Sequence, residues 1–236
     1  MADRHDEAHD DAAYRAWSRR HVRRVLAITM PFATLVFLLA PNLGPVFRVY
    51  NSPSTSMAPA LRLGGTFLVS RASYGYSRHS FDWFRLPIEG RLPAAMPARG
   101  DIIVFRLPRD QSTPYVKRVA GLPGDKVRMI NGRLSLNGRL LERTATGDVP
   151  DPLRRARGKM IPSYREQLPD GASYTIIEAE GDTGPLDNTV EFVVPPGHLF
   201  VLGDNRDNSN DSRASGPGGV GMVPIELVLG RVVWTF

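Results

Sequence analysis

The amino-acid sequence predicts a mainly β protein in which an antiparallel β-rich domain, carrying a smaller inserted β and loop subdomain, follows one N-terminal transmembrane helix. Three observations predict this fold class. Short apolar runs recur after position 48, Asn-Gly pairs stand between several of them, and an uncharged apolar segment precedes them all. The 20 prolines and 22 glycines among 236 residues also argue against an all-helical fold.

Residues 1–24 form a charged segment that precedes the apolar one. The segment opens with an acidic tail that has nothing apolar to bury, which is typical of a disordered terminus. Arginine near a spanning helix sets its orientation, so the arginines that follow predict a cytoplasmic flank. No nucleic-acid partner is expected, although the net charge is +6. The flanking arginines are Arg15, Arg19, Arg20, Arg23 and Arg24.

The segment 25–47 carries no charged residue over 23 positions. A helix of this length covers about 35 Å, which exceeds the roughly 30 Å of a bilayer core. A cleavable export signal is the alternative, because the most apolar part ends at Ala40. Pro41 follows directly and is a poor residue after a scissile bond, so an uncleaved single-pass anchor is favoured. The chain after Phe47 is then expected outside the cytoplasm.

After the anchor, the apolar residues indicate strands separated by turns. Asn131-Gly132 and Asn137-Gly138 predict tight hairpins, because type I′ turns need a positive φ at both central residues. Between 141 and 187 the pattern gives way to Gly, Pro, Asp and Arg, which indicates an inserted, loop-rich subdomain. The predicted strands are 66–70, 101–106, 115–120, 126–130, 133–136, 190–194, 199–202 and 226–234.

Three short stretches carry candidate catalytic residues: Ser-Thr-Ser-Met at 54–57, Val-Lys-Arg-Val at 116–119, and a polar run from Gly to Arg at 203–213. A serine and a lysine can supply a nucleophile and a base without any histidine. On a strand, Lys117 shares a face with a tyrosine and a valine, so that face can be buried. The absence of cysteine excludes a thiol nucleophile, a disulfide framework and zinc held by cysteine.

These stretches resemble the bacterial type I signal peptidases, also called leader peptidases, which are serine-lysine dyad proteases. Arg-Gly-Asp-Ile-Ile-Val-Phe at 99–105 and Gly-Leu-Pro-Gly-Asp at 121–125 add two further stretches in the family's order. The resemblance implies a catalytic β domain formed by 48–125 and 195–236. It also implies a second β subdomain, inserted at 126–194.

The resemblance implies a role for each matching residue. Ser56 would be the nucleophile and Lys117 the general base, while Ser54 would donate its hydroxyl to the oxyanion and Ser209 would orient the lysine. An ammonium cannot accept a proton, so Lys117 must be neutral when it acts. Its pKa must therefore fall well below about 10.4, and desolvation in an apolar setting is the expected cause.

Other polar residues of these stretches are expected to support the loop rather than to react. Asp211 and Arg213 are close enough in sequence to pair across a tight turn, and Asp204 and Arg206 are expected to do the same. Arg118 is classed with them as a structural residue.

Two positions depart from the family pattern. Thr55 stands where Gly is usual between the two serines, and Gly65 stands where Asp usually follows Gly64. A β-branched residue restricts the backbone more than glycine does, so Thr55 is expected to affect the backbone conformation at the oxyanion site.

Three further features of the sequence receive no catalytic role. Asp-x-Ser-x-Asp at 207–211 is similar to a calcium loop but lacks the required Gly and the distal Glu. His79 and His198 stand outside any Ser-His-Asp motif, so they are expected to be ordinary structural or surface residues. The aromatic residues between 74 and 88 fit core packing and a lipid-facing patch equally well.

The function implied by the resemblance is endoproteolytic removal of signal peptides from exported preproteins, after small residues in an Ala-x-Ala pattern. The expected location is the outer side of the bacterial cytoplasmic (inner) membrane, and a fully extended chain keeps Ser56 within about 32 Å of Phe47. The expected partners are preprotein signal peptides and the lipid bilayer. A monomer is expected, and neither a metal nor an organic cofactor is needed.

Two alternatives remain at this point. A specialised serine-lysine peptidase that matures a conjugation or pilus protein would share these motifs and differ in substrate range. A membrane-tethered β binding module without activity would fail to react with a serine-directed acylating probe. Self-cleaving repressors use the same dyad, but no helix-turn-helix is visible in this sequence.

Overall fold

A computed structural model of the chain describes residues 22–38, 44–81, 84–153, 158–214, 216 and 218–236. The chain divides into two compact units, Met1–Phe47 and Arg48–Phe236. In the first unit, helix α1 covers 22–38. Over the described ranges, no helix combines the length and apolar character that a membrane crossing requires. The predicted acidic tail and the first three flanking arginines lie outside the described residues, as do positions 39–43 of the predicted anchor.

The rest of the described chain is dominated by β-strands and contains three short 3-10 helices. The helices are η1 (Ala72–Tyr74), η2 (Arg206–Asn208) and η3 (Ile225–Leu227). The strands are β1 (Phe47–Asn51), β2 (Thr66–Ser70), β3 (Tyr76–Ser77), β4 (Arg91–Leu92), β5 (Ile102–Leu107), β6 (Asp110–Gly121), β7 (Lys126–Ile130), β8 (Arg133–Leu136), β9 (Arg139–Leu140), β10 (Glu142–Pro150), β11 (Met160–Gln167), β12 (Ser173–Ile177), β13 (Phe192–Val193), β14 (His198–Leu202), β15 (Val223–Pro224) and β16 (Val228–Thr235).

These strands form one large sheet and three smaller ones. The large sheet has the order β1-β2-β16-β5-β6-β14-β15, so strands from both ends of the chain meet in it. The smaller sheets have the orders β13-β7-β8-β9, β10-β11-β12 and β3-β4. Pairing is antiparallel between β5 and β6, β6 and β14, and β10 and β11. The predicted mainly antiparallel β fold with one N-terminal helix is therefore confirmed.

Several predicted strands and both predicted hairpins are confirmed. Strands β2, β7 and β8 begin and end where the sequence indicates. Asn131 and Asn137 have φ values of 47° and 54°, and the glycines that follow them also have a positive φ. The Asn-Gly pairs thus supply the left-handed residues that connect β7 to β8 and β8 to β9.

The segment between 141 and 187 contains more regular structure than the predicted loops. Strands β10, β11 and β12 form a three-stranded antiparallel sheet within it. Nearly all of β10 is exposed, and β11 buries polar Ser163 and Glu166 rather than an unbroken apolar face. Because strand prediction depends on apolar alternation, these strands leave almost no signal in the sequence. The assignment of 126–194 to a separate subdomain stays a prediction.

One apolar cluster joins the middle of the chain to the large sheet. Val127 and Leu134 of the four-stranded sheet pack with Ala120 and Phe200 of the large sheet and with Ile176 of β12. All five side chains are buried. This packing holds the end of β6 and the end of β14 in place, and the polar loop that follows β14 begins there.

Candidate active site

Ser56 lies on a tight turn between β1 and β2. The side chains of Met57 and Leu61 hold the turn against a buried apolar cluster, and the Leu61 N–H donates to the Met57 carbonyl at 2.8 Å. From the loop after β14, the Asn205 N–H donates to the Ser56 carbonyl at 3.1 Å. The Ser56 residue is only 7% exposed. Its hydroxyl is therefore positioned by both neighbouring and distant parts of the chain.

Lys117 stands on β6 and reaches the Ser56 hydroxyl. The distance between Lys117 Nζ and Ser56 Oγ is 2.8 Å, and Lys117 Nζ also donates to the Val116 carbonyl at 2.9 Å. As the strand alternation indicates, the side chain shares a face with Tyr115 and the buried Val119, and its amine lies 5.5 Å from the centre of the Tyr115 ring. Lys117 is 3% exposed. The sequence-predicted pair is thus brought into proton-transfer range.

Burial lowers the pKa of Lys117 from the ordinary value of 10.5 to about 8, although the charges of Asp211 and Asp204 act in the opposite direction. Desolvation disfavours the ammonium because a buried charge loses its hydration. A measurable fraction of the amine is therefore neutral near physiological pH. A neutral amine can accept a proton from a neighbouring hydroxyl, which is the chemistry of a general base.

Ser54 lies beside Ser56, as the sequence predicts. The two hydroxyl oxygens are 3.1 Å apart, and the Ser56 N–H donates to Ser54 Oγ at 3.4 Å. The Ser52 hydroxyl donates to the Ser54 carbonyl at 3.0 Å. A hydroxyl and a backbone N–H therefore stand together next to the candidate nucleophile.

Thr55 fits into this turn through contacts that the sequence did not reveal. The Asn208 side-chain amide donates to Thr55 Oγ1 at 2.7 Å, and the Asn205 amide donates to the Thr55 carbonyl at 3.2 Å. Among the described non-glycine residues, only Asn131 and Asn137 have a positive φ, so position 55 does not need glycine. Asn205 and Asn208 stand in the 203–213 stretch, and their separation from Thr55 in sequence concealed the contact.

Arg118 and Asp204 form a buried pair next to the candidate base. The two guanidinium nitrogens Nε and Nη2 of Arg118 donate to the two oxygens of Asp204 at 2.7 and 2.6 Å. The predicted pairing of Asp204 with Arg206 is therefore wrong. A guanidinium and a carboxylate fit best in a planar arrangement with two hydrogen bonds. Strand β6 presents Arg118 to Asp204 in that geometry, whereas Arg206 pairs elsewhere. Arg118 also donates to the Gly100 carbonyl at 2.7 Å.

Arg206 instead pairs with a carboxylate that the sequence analysis missed. Its Nη2 donates to Glu166 Oε2 at 2.5 Å and its Nη1 to Glu166 Oε1 at 3.3 Å. The Tyr174 hydroxyl donates to Glu166 Oε2 at 2.6 Å. Arg206 and Glu166 are each 1% exposed. This pair ties the polar loop to the three-stranded sheet, and no motif marks Glu166 in the sequence.

Asp211 and Arg213 pair as predicted, with two hydrogen bonds of 2.9 Å. Burial raises the pKa of Asp211, but the charge and hydrogen bonds of Arg213 outweigh burial and hold that pKa below its ordinary value. Asp211 also accepts the Gly203 N–H at 3.0 Å. A Cβ at Gly203 would overlap Ser209 and lie 2.5 Å from the Ser56 carbonyl oxygen, so this close approach requires glycine.

Ser209 lies in the same loop, and its hydroxyl oxygen is buried. The hydroxyl is close enough to Asp211 to lower the pKa of that carboxyl, but the two form no hydrogen bond of normal geometry. In the part of the chain that the structure describes, Ser209 does not bond to Lys117 either. Its orienting role stays a prediction.

The two histidines and the aromatic cluster differ in their surroundings. His198 Nδ1 lies 2.9 Å from the Pro196 carbonyl, and His79 is buried. Tyr74 is in the core, where its hydroxyl donates to Asp101 at 2.7 Å. Phe84 is half exposed. Trp83, another member of the predicted cluster, lies outside the described residues.

An antiparallel β fold that buries a serine hydroxyl against a lysine amine of lowered pKa is typical of serine hydrolases that work without histidine. Comparison with known proteins identifies a family within this class. Residues 22–236 match the family described as signal peptidase, peptidase S26. The chain belongs to this family and is accordingly a serine endopeptidase, a hydrolase of peptide bonds.

Two relatives from Rickettsia agree with this assignment. The signal peptidase I of Rickettsia typhi is 34% identical over 233 residues, which cover 92% of this chain and 84% of that protein. The signal peptidase I of Rickettsia canadensis is 35% identical over 198 residues, covering 80% and 72%. A crystal structure of a signal peptidase I from Enterococcus faecalis is similar at 29% identity, with 59% of this chain and 98% of that chain covered and a TM-score of 0.34.

Proposed function

We propose that the protein removes N-terminal signal peptides from exported preproteins, with Ser56 as the nucleophile and Lys117 as the general base. The observation that carries the proposal is the 2.8 Å distance between two buried groups, Lys117 Nζ and Ser56 Oγ. Membership of the signal peptidase family supports the substrate class.

The reaction proceeds through an acyl-enzyme. The neutral Lys117 amine takes the Ser56 proton while the hydroxyl oxygen attacks the scissile carbonyl carbon. The resulting ammonium then gives its proton to the leaving amine of the mature protein, and an ester between Ser56 and the signal peptide remains. Lys117 next takes a proton from the water that attacks the ester carbonyl carbon. The ammonium returns this proton to Ser56 Oγ as the bond between Oγ and the carbonyl carbon breaks, which releases the signal peptide as a carboxylic acid and restores the serine.

The Ser54 hydroxyl and the Ser56 N–H stabilise the oxyanion in this mechanism. The distance of 3.4 Å between Ser56 N and Ser54 Oγ supports the assignment, because the hydroxyl can rotate to donate to the same oxygen as the fixed backbone N–H. We expect Ser54→Ala to lower kcat for preprotein cleavage by about 10²-fold to 10³-fold with little change in KM. Initial rates at saturating substrate measure the effect. Ser54→Thr keeps a hydroxyl and should retain most of the rate, and an unchanged kcat in Ser54→Ala would contradict the role.

The signal peptide binds in extended form and is cut after small residues in an Ala-x-Ala pattern. Strand β1 lies at one end of the order of the large sheet and leads directly to the Ser56 turn, which suits binding by strand addition. Half-buried Tyr50 and Val116 pack against the apolar cluster that contains Met57. An apolar surface beside the dyad favours apolar side chains in the substrate.

The segment 25–47 anchors the protein in the bacterial cytoplasmic membrane, with the N-terminus in the cytoplasm. Its lack of charge and the arginines before it support this orientation. Catalysis then takes place on the extracytoplasmic side, close to the lipid from which a signal peptide emerges. One chain supplies the dyad and the ion pairs that support it, so a monomer is sufficient for the proposed reaction.

Of the alternatives, the binding module without activity is at odds with membership of a peptidase family. A narrow peptidase for one conjugation or pilus protein uses the same dyad and differs only in substrate range. Processing of several unrelated preproteins would distinguish the general enzyme from the specialised one.

The test is cleavage of preproteins by the purified full-length chain in detergent, with the products identified by mass spectrometry. We expect one cut per preprotein, after a small residue, and loss of at least about 10³-fold in rate in Ser56→Ala. Ser112→Ala removes an exposed hydroxyl and His198→Ala removes a histidine, and both should keep the wild-type rate. Full activity in Ser56→Ala would refute the proposal.

A further inference from the structure

Three carboxylates meet outside the dyad. Glu178, Asp187 and Asp207 each offer an oxygen, and these oxygens all lie within 4.8 Å of one another. Glu178 follows β12, Asp187 stands in the segment before β13, and Asp207 is in η2. The cluster therefore connects the middle of the chain with the loop that supports Ser56.

Two of the three carboxylates are buried with oxygens that have no hydrogen bond. Glu178 is 0% and Asp187 is 1% exposed. Within the described chain, neither oxygen of Glu178 has a hydrogen-bond partner, and nor does Oδ1 of Asp187. The Arg143 guanidinium lies 3.8 Å from Glu178 Oε1, which is too far for a hydrogen bond. Buried carboxylate oxygens of this kind are normally satisfied by donors or by a metal ion.

The charge around the cluster is not balanced by the neighbouring arginines. Three guanidinium groups act on Glu178 or Asp187, but each is hydrogen-bonded to a different carboxylate. Arg143 forms a 3.8 Å ion pair with Glu178, but Asp182 shares this guanidinium, so the cluster has more acidic groups than cations to balance them. The pairs that the arginines form are Arg143 with Asp182, Arg206 with Glu166, and Arg213 with Asp211.

We propose that Glu178, Asp187 and Asp207 bind a divalent cation, and that this cation is Ca²⁺. Carboxylate oxygens are hard ligands, which Ca²⁺ takes at about 2.3–2.6 Å in irregular geometry, so two of its ligands stand up to about 5 Å apart. The oxygens of the cluster lie within 4.8 Å of one another, a span that the ligands of Ca²⁺ can cover. Mg²⁺ loses its waters reluctantly and is usually held by one or two carboxylates, so a largely buried set of three carboxylates suits Ca²⁺ better.

Two carboxyls of the cluster have raised pKa values. Burial raises the pKa of Glu178 to about 8, and the charges of Asp207 and Asp187 raise it further against the opposing effect of Arg206. Burial also raises the pKa of Asp187. A proton therefore competes with a cation for these oxygens, and the experiment below distinguishes the two.

The cation would support the catalytic loop. Asp207 adjoins Asn208, whose side chain donates to Thr55 Oγ1 at 2.7 Å. In the segment that follows β12, the Glu180 N–H donates to Asp207 Oδ2 at 2.7 Å. An ion shared by Asp207 and Glu178 thus holds η2 against the end of β12 and stabilises the turn that carries Ser56. This site differs from a 207–211 calcium loop, because Asp211 is paired with Arg213.

The test is direct binding of CaCl₂ to the metal-free full-length chain in detergent, followed by calorimetry and thermal unfolding. We expect one Ca²⁺ per chain with Kd on the order of 10⁻⁴–10⁻³ M, as in extracellular calcium modules, and a Tm that rises with Ca²⁺ concentration. Glu178→Gln and Asp187→Asn should each weaken binding by at least about tenfold. Glu191→Gln is the control, because this carboxylate is exposed and lies outside the cluster, where it forms a 3.8 Å pair with Lys126.

Three results would overturn the proposal. The first is a wild-type chain that shows neither binding heat nor a Tm shift with CaCl₂ up to about 10 mM, which would mean that a proton alone balances the cluster. The second is unchanged Ca²⁺ affinity in both variants, and the third is tighter binding of MgCl₂ than of CaCl₂. If the buried variants fail to fold by circular dichroism, Asp207→Asn at the half-buried member supplies the same comparison.

Discussion

Replacing Lys117 by methionine is expected to lower kcat/KM for preprotein cleavage by about 10³-fold or more, without loss of the fold. The variant removes the amine that lies 2.8 Å from Ser56 Oγ. Methionine has a similar length and suits a position that is almost fully buried, so the sheet should remain intact. Rates of product formation in detergent measure the effect, and circular dichroism verifies the fold.

The pH dependence of the wild type belongs to the same prediction. Only the neutral amine accepts a proton, and burial lowers the pKa of Lys117 to about 8. We therefore expect kcat/KM to rise about tenfold per pH unit below pH 8 and to level off above it. Lys126→Met, at an exposed lysine, should leave both the rate and the profile unchanged. A Lys117→Met variant that keeps the wild-type rate would rule out this base.

Replacing Arg206 by methionine is expected to lower the free energy of unfolding by about 3–5 kcal/mol. The change leaves Glu166 buried without its partner, and removing one member of a buried ion pair is far more destabilising than the pair is stabilising. Arg206 also donates to the Gly203 carbonyl at 3.2 Å, so the catalytic loop should loosen as well. Urea unfolding followed by tryptophan fluorescence measures the loss.

A matched variant and a double variant make this second prediction specific. Arg231→Met breaks an exposed pair with Asp101 of 3.4 Å and should change stability by less than about 1 kcal/mol. Adding Glu166→Gln to Arg206→Met removes the uncompensated charge and should restore part of the stability. If Arg206→Met and Arg231→Met lower the free energy of unfolding equally, burial of the Arg206–Glu166 pair does not determine the cost of breaking it.

The candidate dyad shows how much of a site local sequence can predict. Strand alternation placed the side chain of Lys117 on a face that can be buried, and the structure shows it buried beside Tyr115. The Asn-Gly pairs marked their hairpins because positive φ is a property of the residue itself. The resemblance to signal peptidases supplied the pairing of Ser56 with Lys117, since no rule of spacing joins residues 61 positions apart.

The partners of the supporting charges show where local reasoning fails. Asp204 and Arg206 are two positions apart and were expected to pair, yet each pairs with a residue brought by another strand. A carboxylate in a buried loop pairs with the guanidinium that can approach it in planar geometry. The register of the sheet decides which arginine is in that position. Glu166 has no motif, and its strand β11 shows no apolar alternation.

By itself, the sequence determined the features that depend on neighbouring residues: the strand-rich character, the hairpin turns, the uncharged segment 25–47 and the buried face of Lys117. Only the tertiary structure decided which distant groups meet, including the ion pairs of Arg118 and Arg206 and the carboxylate cluster of Glu178, Asp187 and Asp207. The physical reason is that backbone preferences act over a few residues, whereas charge pairing depends on distances in space, which sheet register and core packing set after the chain has folded.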